Sequence, residues 1–488
     1  MNILAFLPEL ILFFGSLFLL MIDVFFAKKV KDMPRILFVA AIIISVTALI
    51  SVFIGHDSFY SAFDGMFLIT RFSSFVKIVA LSILVLTIFI SADFLEEERR
   101  ISSEFLALMM MATIGGMLMV SSNNLLPIYM ALELQALSLY LLAAIKRESI
   151  KSSEAGVKYF LLGSVASCLL LFGISLIYGF SGTIDLNNLV EYYKINHTHI
   201  PIAIFLGFIL VIIAMFFKVS AAPFHMWTPD VYEGSSTIVT TLFASLVKFV
   251  SIIVLIRLYF SLTFIWPDMR QIVIVVAVLS LVVGAFGAIK QNNIKRMLAY
   301  SAVGHIGFVM LGLAVGNLDA IKAMVLYAII YSSVSLGAFA FLLMLQDDSD
   351  DSFDNKNDNI YKLSAIAGLA KTSPIIGMAL SVIMFSMAGI PPLAGFFAKF
   401  YILLSVMHSG FYVLAIIAVL CSVISAFYYL RIIKIIYFDG NNNDQTEGQK
   451  NITLVANNAS IVLILMALAN LLFLAYLNPL TKMIADLF

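Results

Sequence analysis

Apolar runs long enough to cross a lipid bilayer, separated by short polar stretches, recur along the whole 488-residue chain. Stretches such as Ile36 to Gly55 and Ile272 to Ile289 hold no charged residue. At 1.5 Å per residue each covers a hydrocarbon core of about 30 Å. Fourteen such segments are predicted, near 3–26, 36–55, 72–93, 104–122, 124–145, 153–180, 201–230, 235–260, 271–290, 294–315, 319–345, 365–404, 411–437 and 456–478. Loops are expected at 56–71, 181–200 and 346–362, with a further polar stretch at 439–451. The predicted fold is an all-α integral membrane protein of about fourteen transmembrane helices, and an even number of spans returns both termini to one side.

Composition agrees. Hydrophobic residues make up 62% and charged ones 12%, where a soluble domain carries roughly 25% charge, so a soluble enzyme is excluded. Lys plus Arg number 29 and Asp plus Glu number 29, and this balance gives no electrostatic footprint for nucleic acid. Cys168 and Cys421 both fall in apolar segments and are expected as small core residues, not as a disulfide framework. The first apolar run contains Glu9 and Asp23 and lacks a basic leader, so it is expected to be a retained helix. The acidic run from Asp347 to Asp358 is expected to be a solvated loop.

Charge placement orients the chain. Links after odd-numbered segments, with the segment ends that adjoin them, hold eighteen Lys and Arg, the opposite links and ends five. The positive-inside rule then puts both termini on the periplasmic side of a bacterial inner membrane. The six further cations are inside the segments, and all are lysine: Lys77, Lys158, Lys218, Lys248, Lys322 and Lys399. A desolvated lysine can shed its proton, which an arginine does not. Lys77, Lys158 and Lys322 are near helix ends and are expected to snorkel to the interface. Lys218, Lys248 and Lys399 are too deep for that.

Glu133, in LLPIYMALELQALSLYLLAAI, is the carboxylate expected well inside an apolar helix. A charge at that depth is costly unless it has a partner, so a functional role is favoured over a polar staple. Lys218 lies in FKVSAAPFHMWTPDVYEGSST, where Pro223, Pro229 and Gly234 should break the seventh helix and expose backbone groups. A second break, AGIPPLAGFFAKF, holds Pro391, Pro392 and Gly395 ahead of Lys399 in the twelfth segment. Two discontinuous helices five segments apart suggest a repeated five-helix unit. Lys248 is central in TTLFASLVKFVSIIVLI. His305, between Gly304 and Gly307, is a candidate proton carrier that another backbone or water can approach, while His225 serves either as a carrier or as a cap on the broken helix. No phosphate loop, dinucleotide fingerprint, haem ligands or metal-spaced His/Cys cluster is present, so redox cofactors and metals are expected outside this chain.

The opening LPELILFFGSLFLLMIDVFF, the segment GVKYFLLGSVASCLLLFGISLIYGFSGT and the two breaks resemble the antiporter-like membrane subunits of proton-pumping NADH-quinone oxidoreductase, respiratory complex I, over nearly the whole chain. The family is similar to multi-subunit sodium/proton antiporters. It implies fourteen helices with two inverted five-helix repeats, helices four to eight and nine to thirteen. Here those correspond to 101–265 and 266–438, preceded by a three-helix segment at 1–100 and followed by a polar loop and last helix at 439–488. It also implies that Glu133 matches the helix-five glutamate, Lys218 its lysine partner, Lys248 the relay lysine and Lys399 the outlet lysine. Lysine rather than glutamate at 399 points to the N or L type rather than M, and the lateral helix expected of L is not found. Ser335 stands where relatives are expected to carry Asn. The resemblance further implies FMN, iron–sulfur clusters, NADH and quinone elsewhere in the complex, and sister subunit M with small subunits A, J and K as partners. Alternatives are a sodium/proton antiporter subunit or a purely structural membrane scaffold.

Overall fold

Lipid offers no hydrogen bonds to a peptide group, so apolar segments must satisfy their own backbone as helices. The computed structural model describes residues 6–26, 32–55, 59–97, 102–195, 201–347, 360–439, 452–454 and 458–488. In chain order the elements are α1 (Leu7–Phe26), α2 (Met33–Ile54), β1 (Tyr60–Ala62), β2 (Phe67–Ile69), α3 (Arg71–Ile90), α4 (Ala92–Glu97), α5 (Ser102–Ser121), α6 (Leu125–Ala143), α7 (Ile150–Ser181) and α8 (Leu186–Ile195). Then come α9 (Ile202–Val219), α10 (Trp227–Gly234), α11 (Thr237–Leu242), a π-turn (Phe243–Val247), α12 (Lys248–Ser261), α13 (Trp266–Ile289), α14 (Ile294–Val315), α15 (Leu318–Leu343) and β3 (Leu345–Asp347). The chain continues with a 3-10 turn at Leu363–Ile366, α16 (Leu369–Thr372), α17 (Pro374–Ala388), α18 (Ala394–His408), α19 (Tyr412–Phe438), β4 (Ile452–Leu454), α20 (Asn458–Leu471) and α21 (Phe473–Ala485).

Each of the fourteen predicted segments contains helix, but not each is one straight span. Among the described residues twelve helices are long and apolar enough to cross a membrane, counting α11 to α12 as one. The last segment is the pair α20 and α21, bent by 78°, and the twelfth is built from the short helices α17 and α18. The expected loops also carry structure. β1 and β2 pair as an antiparallel hairpin within 56–71, α8 occupies half of 181–200, and β3 pairs with β4. These short elements satisfy backbone groups within the links between the long helices. The side chains of the acidic run fall outside the described residues, as do Lys28, Lys29, Lys31, Arg99, Arg100, Lys356 and Lys450.

Contacts divide the chain into two compact units, Met1–Val219 with Leu246–Ile272 and Leu487–Phe488, and Ser220–Ser245 with Val273–Asp486. In the first unit α1 packs on α2 and α5, α5 on α6, and α7 on both α6 and α9. Helix starts use short polar side chains to take up free amides. Thr70 and Ser73 form a capping box on α3, and Asn124 Oδ1 accepts from Leu126 N at 3.0 Å. Lys77 does not snorkel. It is 2% exposed and its Nζ lies 2.6 Å from Glu9 Oε1, itself 4% exposed. Glu133 is therefore not the only carboxylate buried by apolar helices, because α1 and α3 bring Glu9 and Lys77 together from 68 positions apart in sequence. Lys158 pairs with Glu154 one turn away at 2.7 Å on an exposed face, as an interfacial lysine should. Cys168 is exposed on α7 and is not a core residue, whereas Cys421 is buried.

In the second unit α15 packs on α14, α17, α18 and α20. Asn293 caps α14, accepting from Lys295 N at 2.9 Å and Arg296 N at 3.3 Å. Gly284 of α13 and Gly307 of α14 allow the two helices to approach closely. A Cβ at Gly307 would come within 2.8 Å of Leu281 N.

Candidate functional site

The first unit holds three of the predicted residues. Glu133 is in the third turn of α6, with Oε1 buried and without a hydrogen-bond partner among the described residues. Lys218 is the penultimate residue of α9 and is 4% exposed. It lines a cavity of about 10 Å³ with Leu132, Ala136 and Tyr140 of α6 and Gly163 of α7, close to the room that one water needs. Among the described residues Glu133 and Lys218 make no ion pair within 4.0 Å. The expected partnership is thus not a direct contact. α9 ends directly after Lys218, so its carbonyls lose their helical acceptor role there. Lys248, 1% exposed and the first residue of α12 after the π-turn, donates to Val219 O at 3.5 Å. The break therefore brings Lys248 to the peptide adjoining Lys218.

The second unit begins inside that break. Ser220 adopts φ of 68°, a left-handed conformation uncommon outside glycine, and Ala222 N donates to Ser280 Oγ at 2.8 Å. α10 is held by α14. Arg296 Nη1 donates to Asp230 Oδ1 and Glu233 Oε2, each at 2.8 Å. Lys295, 3% exposed, donates to Ser235 O at 3.1 Å and lies over the Tyr361 ring. The cations at 295 and 296 are therefore fastenings of the broken helix rather than free loop charges. His225 lies in the turn, where its carbonyl accepts from Thr228 N at 2.9 Å and its ring stands 6.4 Å from that of Tyr300.

His305 is flanked by two phenols, Tyr327 Oη at 2.7 Å from Nδ1 and Tyr429 Oη at 3.1 Å from Nε2. Tyr429 Oη in turn meets Ser301 Oγ. A neutral imidazole donates through one nitrogen and accepts through the other, so this row can shift protons by concerted reversal of its hydrogen bonds. Lys399, 6% exposed, donates to Ala388 O at 2.9 Å and to Ser422 Oγ at 3.0 Å. His305 and Lys399 line one cavity of about 10 Å³, with Ser301, Cys421, Ser425 and Tyr428 also on its wall. A second cavity of the same size is lined by His305, Tyr327, Tyr331 and Ser386. Gly389, with φ of +86°, closes α17, and a Cβ there would come within 3.0 Å of the Lys399 stem.

The structure brings together Lys218 with Lys248 through Val219, and His305 with Lys399 around a cavity. Sequence reasoning did not find Tyr327, Tyr331, Tyr428, Tyr429 or Ser422. The spacing of Tyr327 and Tyr331, one turn apart on α15, was the available signal, since it places both on one face. Ser335 bonds only to backbone oxygens, and α15 supplies polar groups through its tyrosines instead. Among the described residues no group of three or more His, Cys, Asp and Glu is placed to hold a metal ion.

Residues 122–425 match the model of the membrane family described as NADH:quinone oxidoreductase/Mrp antiporter. Over 439 residues the chain is 40% identical to NADH-quinone oxidoreductase subunit N of Parvibaculum lavamentivorans, covering 89% of this chain and 87% of that protein. It is 38% identical over 478 residues to subunit N of Bartonella bacilliformis, covering 96% and 94%. Among solved structures, a chain of respiratory complex I from Thermus thermophilus superposes with a TM-score of 0.79 at 27% identity, covering 97% of this chain and 98% of that one. A chain of the Mrp complex from Dietzia shares the fold, with a TM-score of 0.81 at 18% identity.

Proposed function

From the premise that this chain belongs to the NADH:quinone oxidoreductase/Mrp antiporter membrane family, on its subunit N branch, we propose that Glu133, Lys218, Lys248, His305 and Lys399 form a relay that carries protons across the membrane. The chain is an antiporter-like, multi-pass membrane subunit of NADH-quinone oxidoreductase, and the subunit N relatives favour this over an independent sodium/proton antiporter. Its part in the complex is translocation. NADH oxidation at FMN, the iron–sulfur clusters and quinone reduction belong to other subunits. Sister subunit M and subunits A, J and K are its neighbours in this reading. The setting is a bacterial inner membrane with both termini periplasmic, and the two inverted five-helix repeats span 101–265 and 266–438.

The observation that carries the reading is that the interior lysines at the two helix breaks border cavities of water size while staying almost wholly buried. An opposite charge favours the charged form of a lysine, and desolvation opposes it. Lys218 meets both influences, because Glu133 acts on it through space and apolar walls surround it. A neighbouring subunit that alters the Glu133 field changes this balance, and about 1.4 kcal/mol corresponds to a tenfold change in proton occupancy. Lys248 can then exchange a proton with Lys218 across the freed Val219 peptide by way of a water. His305 and Lys399, on a single cavity wall, provide the corresponding step in the second unit. Groups coupled in this way titrate as a set.

Glu133→Ala and Lys218→Ala in the assembled complex test the reading. Both variants are expected to retain the complex and lose most NADH-driven proton uptake into inverted vesicles. Normal pumping by either removes that residue from the relay.

A further inference from the structure

Glu9 and Lys77 meet at 2.6 Å between α1 and α3, 4% and 2% exposed. The relay does not use them. Glu9 Oε2 is buried with no partner among the described residues, and neither Glu9 Oε1 nor Lys77 Nζ makes a further hydrogen bond there. Lys77 Nζ also lies 5.1 Å from the centre of the Phe67 ring, and Phe67 is stacked on Phe6 at 4.0 Å. A buried ion pair is stable when its leftover protons and lone pairs find other partners. Among the described residues they find none. As a staple the pair is poorly made, and well-packed apolar side chains would serve α1 and α3 at least as well.

We propose that Glu9 and Lys77 form a further proton-binding site, outside the Glu133 to Lys399 relay, with the free Glu9 Oε2 as the acceptor. This rests on the reading of the subunit as a proton translocase. An incoming proton binds Oε2 and turns the carboxylate beside the Lys77 ammonium into a carboxylic acid, so the site gains one positive charge. Release of that proton restores the ion pair, with no other bond made or broken. Glu9 is in the first turn of α1 and Lys77 in the second of α3, so the site is near the start of both spanning helices, against Phe67 of β2. That position suits exchange with a surface more than transfer along the mid-membrane row.

The test is Glu9→Gln in the assembled complex, read as protons moved per NADH oxidised and as the infrared difference between oxidised and reduced enzyme. The variant is expected to keep NADH oxidation within about twofold, to move fewer protons per NADH, and to lack one carboxylic-acid C=O band present in the parent enzyme. An unchanged proton ratio overturns the proposal. If Glu9→Gln fails to assemble, the Glu9→Gln/Lys77→Met double variant, which removes both charges, decides. A normal ratio there makes the pair a structural staple and overturns the proposal, and a reduced ratio supports it. Lys218→Ala run in parallel separates the two readings. If it alone pumps normally the relay fails, while Glu9 is still judged by its own band.

Discussion

The two helix breaks look alike in sequence and work differently. Each combines proline and glycine with a lysine and leaves a helix-terminal carbonyl deep in an apolar chain. At the second break the freed Ala388 carbonyl accepts from Lys399, eleven residues on in the same broken segment. At the first, the Val219 carbonyl accepts instead from Lys248, 29 residues on in a different span, and Lys218 makes no hydrogen bond or ion pair among the described residues. Lys399 therefore both closes its break and borders the His305 cavity. In the first half those duties are divided: Lys248 closes the break and Lys218 borders a cavity. A lysine tied to a carbonyl and a hydroxyl has a defined place, whereas one without such bonds is held by packing alone.

The largest expected effect is at Lys399. Lys399→Met should abolish most proton uptake and also destabilise the second unit, since a buried acceptor left bare costs about 1–3 kcal/mol. Thermal melting of the purified complex and vesicle acidification measure the two losses. Lys248→Met should suppress pumping about as strongly, with a smaller stability loss, because the Val219 contact is long at 3.5 Å. If Lys218→Met destabilises as much as Lys399→Met, the contrast between the breaks is wrong.

An intermediate effect is expected at Arg296. Its Nη1 contact with Asp230 and Glu233 is about one-third exposed, so Arg296→Ala should cost about 1–2 kcal/mol of local stability, less than a fully buried pair. Arg296→Lys should recover part of it, because an ammonium can donate to both carboxylates as Nη1 does but ends nearer the backbone. Protease sensitivity near α10 reads this out. Tyr327→Phe removes the 2.7 Å bond to His305 Nδ1 and should slow pumping a few-fold, at a stability cost of about 1 kcal/mol. The smallest effect belongs to Ser422→Ala. Lys399 keeps Ala388 O, so pumping should remain within about twofold. A larger fall would mean that Ser422, and not the broken helix, positions Lys399.

Much of this was legible in the chain itself. Spanning segments show because apolar length is dictated by bilayer thickness, and both breaks show because proline cannot donate. Glu133, Lys218, Lys248, His305 and Lys399 stand out because ionisable groups are rare in apolar runs. Lys77 was misread for a physical reason. Distance from a helix end suggests snorkelling, yet α3 points that side chain inward, and its partner Glu9 is 68 positions away. Tyr327 and Tyr429 were hidden among 19 tyrosines, since a phenol on an apolar helix is ordinary until its neighbour is known.

The one-dimensional pattern alone determined the membrane fold, the placing of the breaks and the kind of side chain able to carry a proton, because each follows from hydration energy and from backbone chemistry local to the residue. Only the tertiary structure decided which carbonyls Lys248 and Lys399 meet, that Glu133 and Lys218 form no contact ion pair, and that Glu9 finds Lys77. Those outcomes depend on the packing of distant helices, and side-chain hydrogen bonds fall off within a few tenths of an ångström.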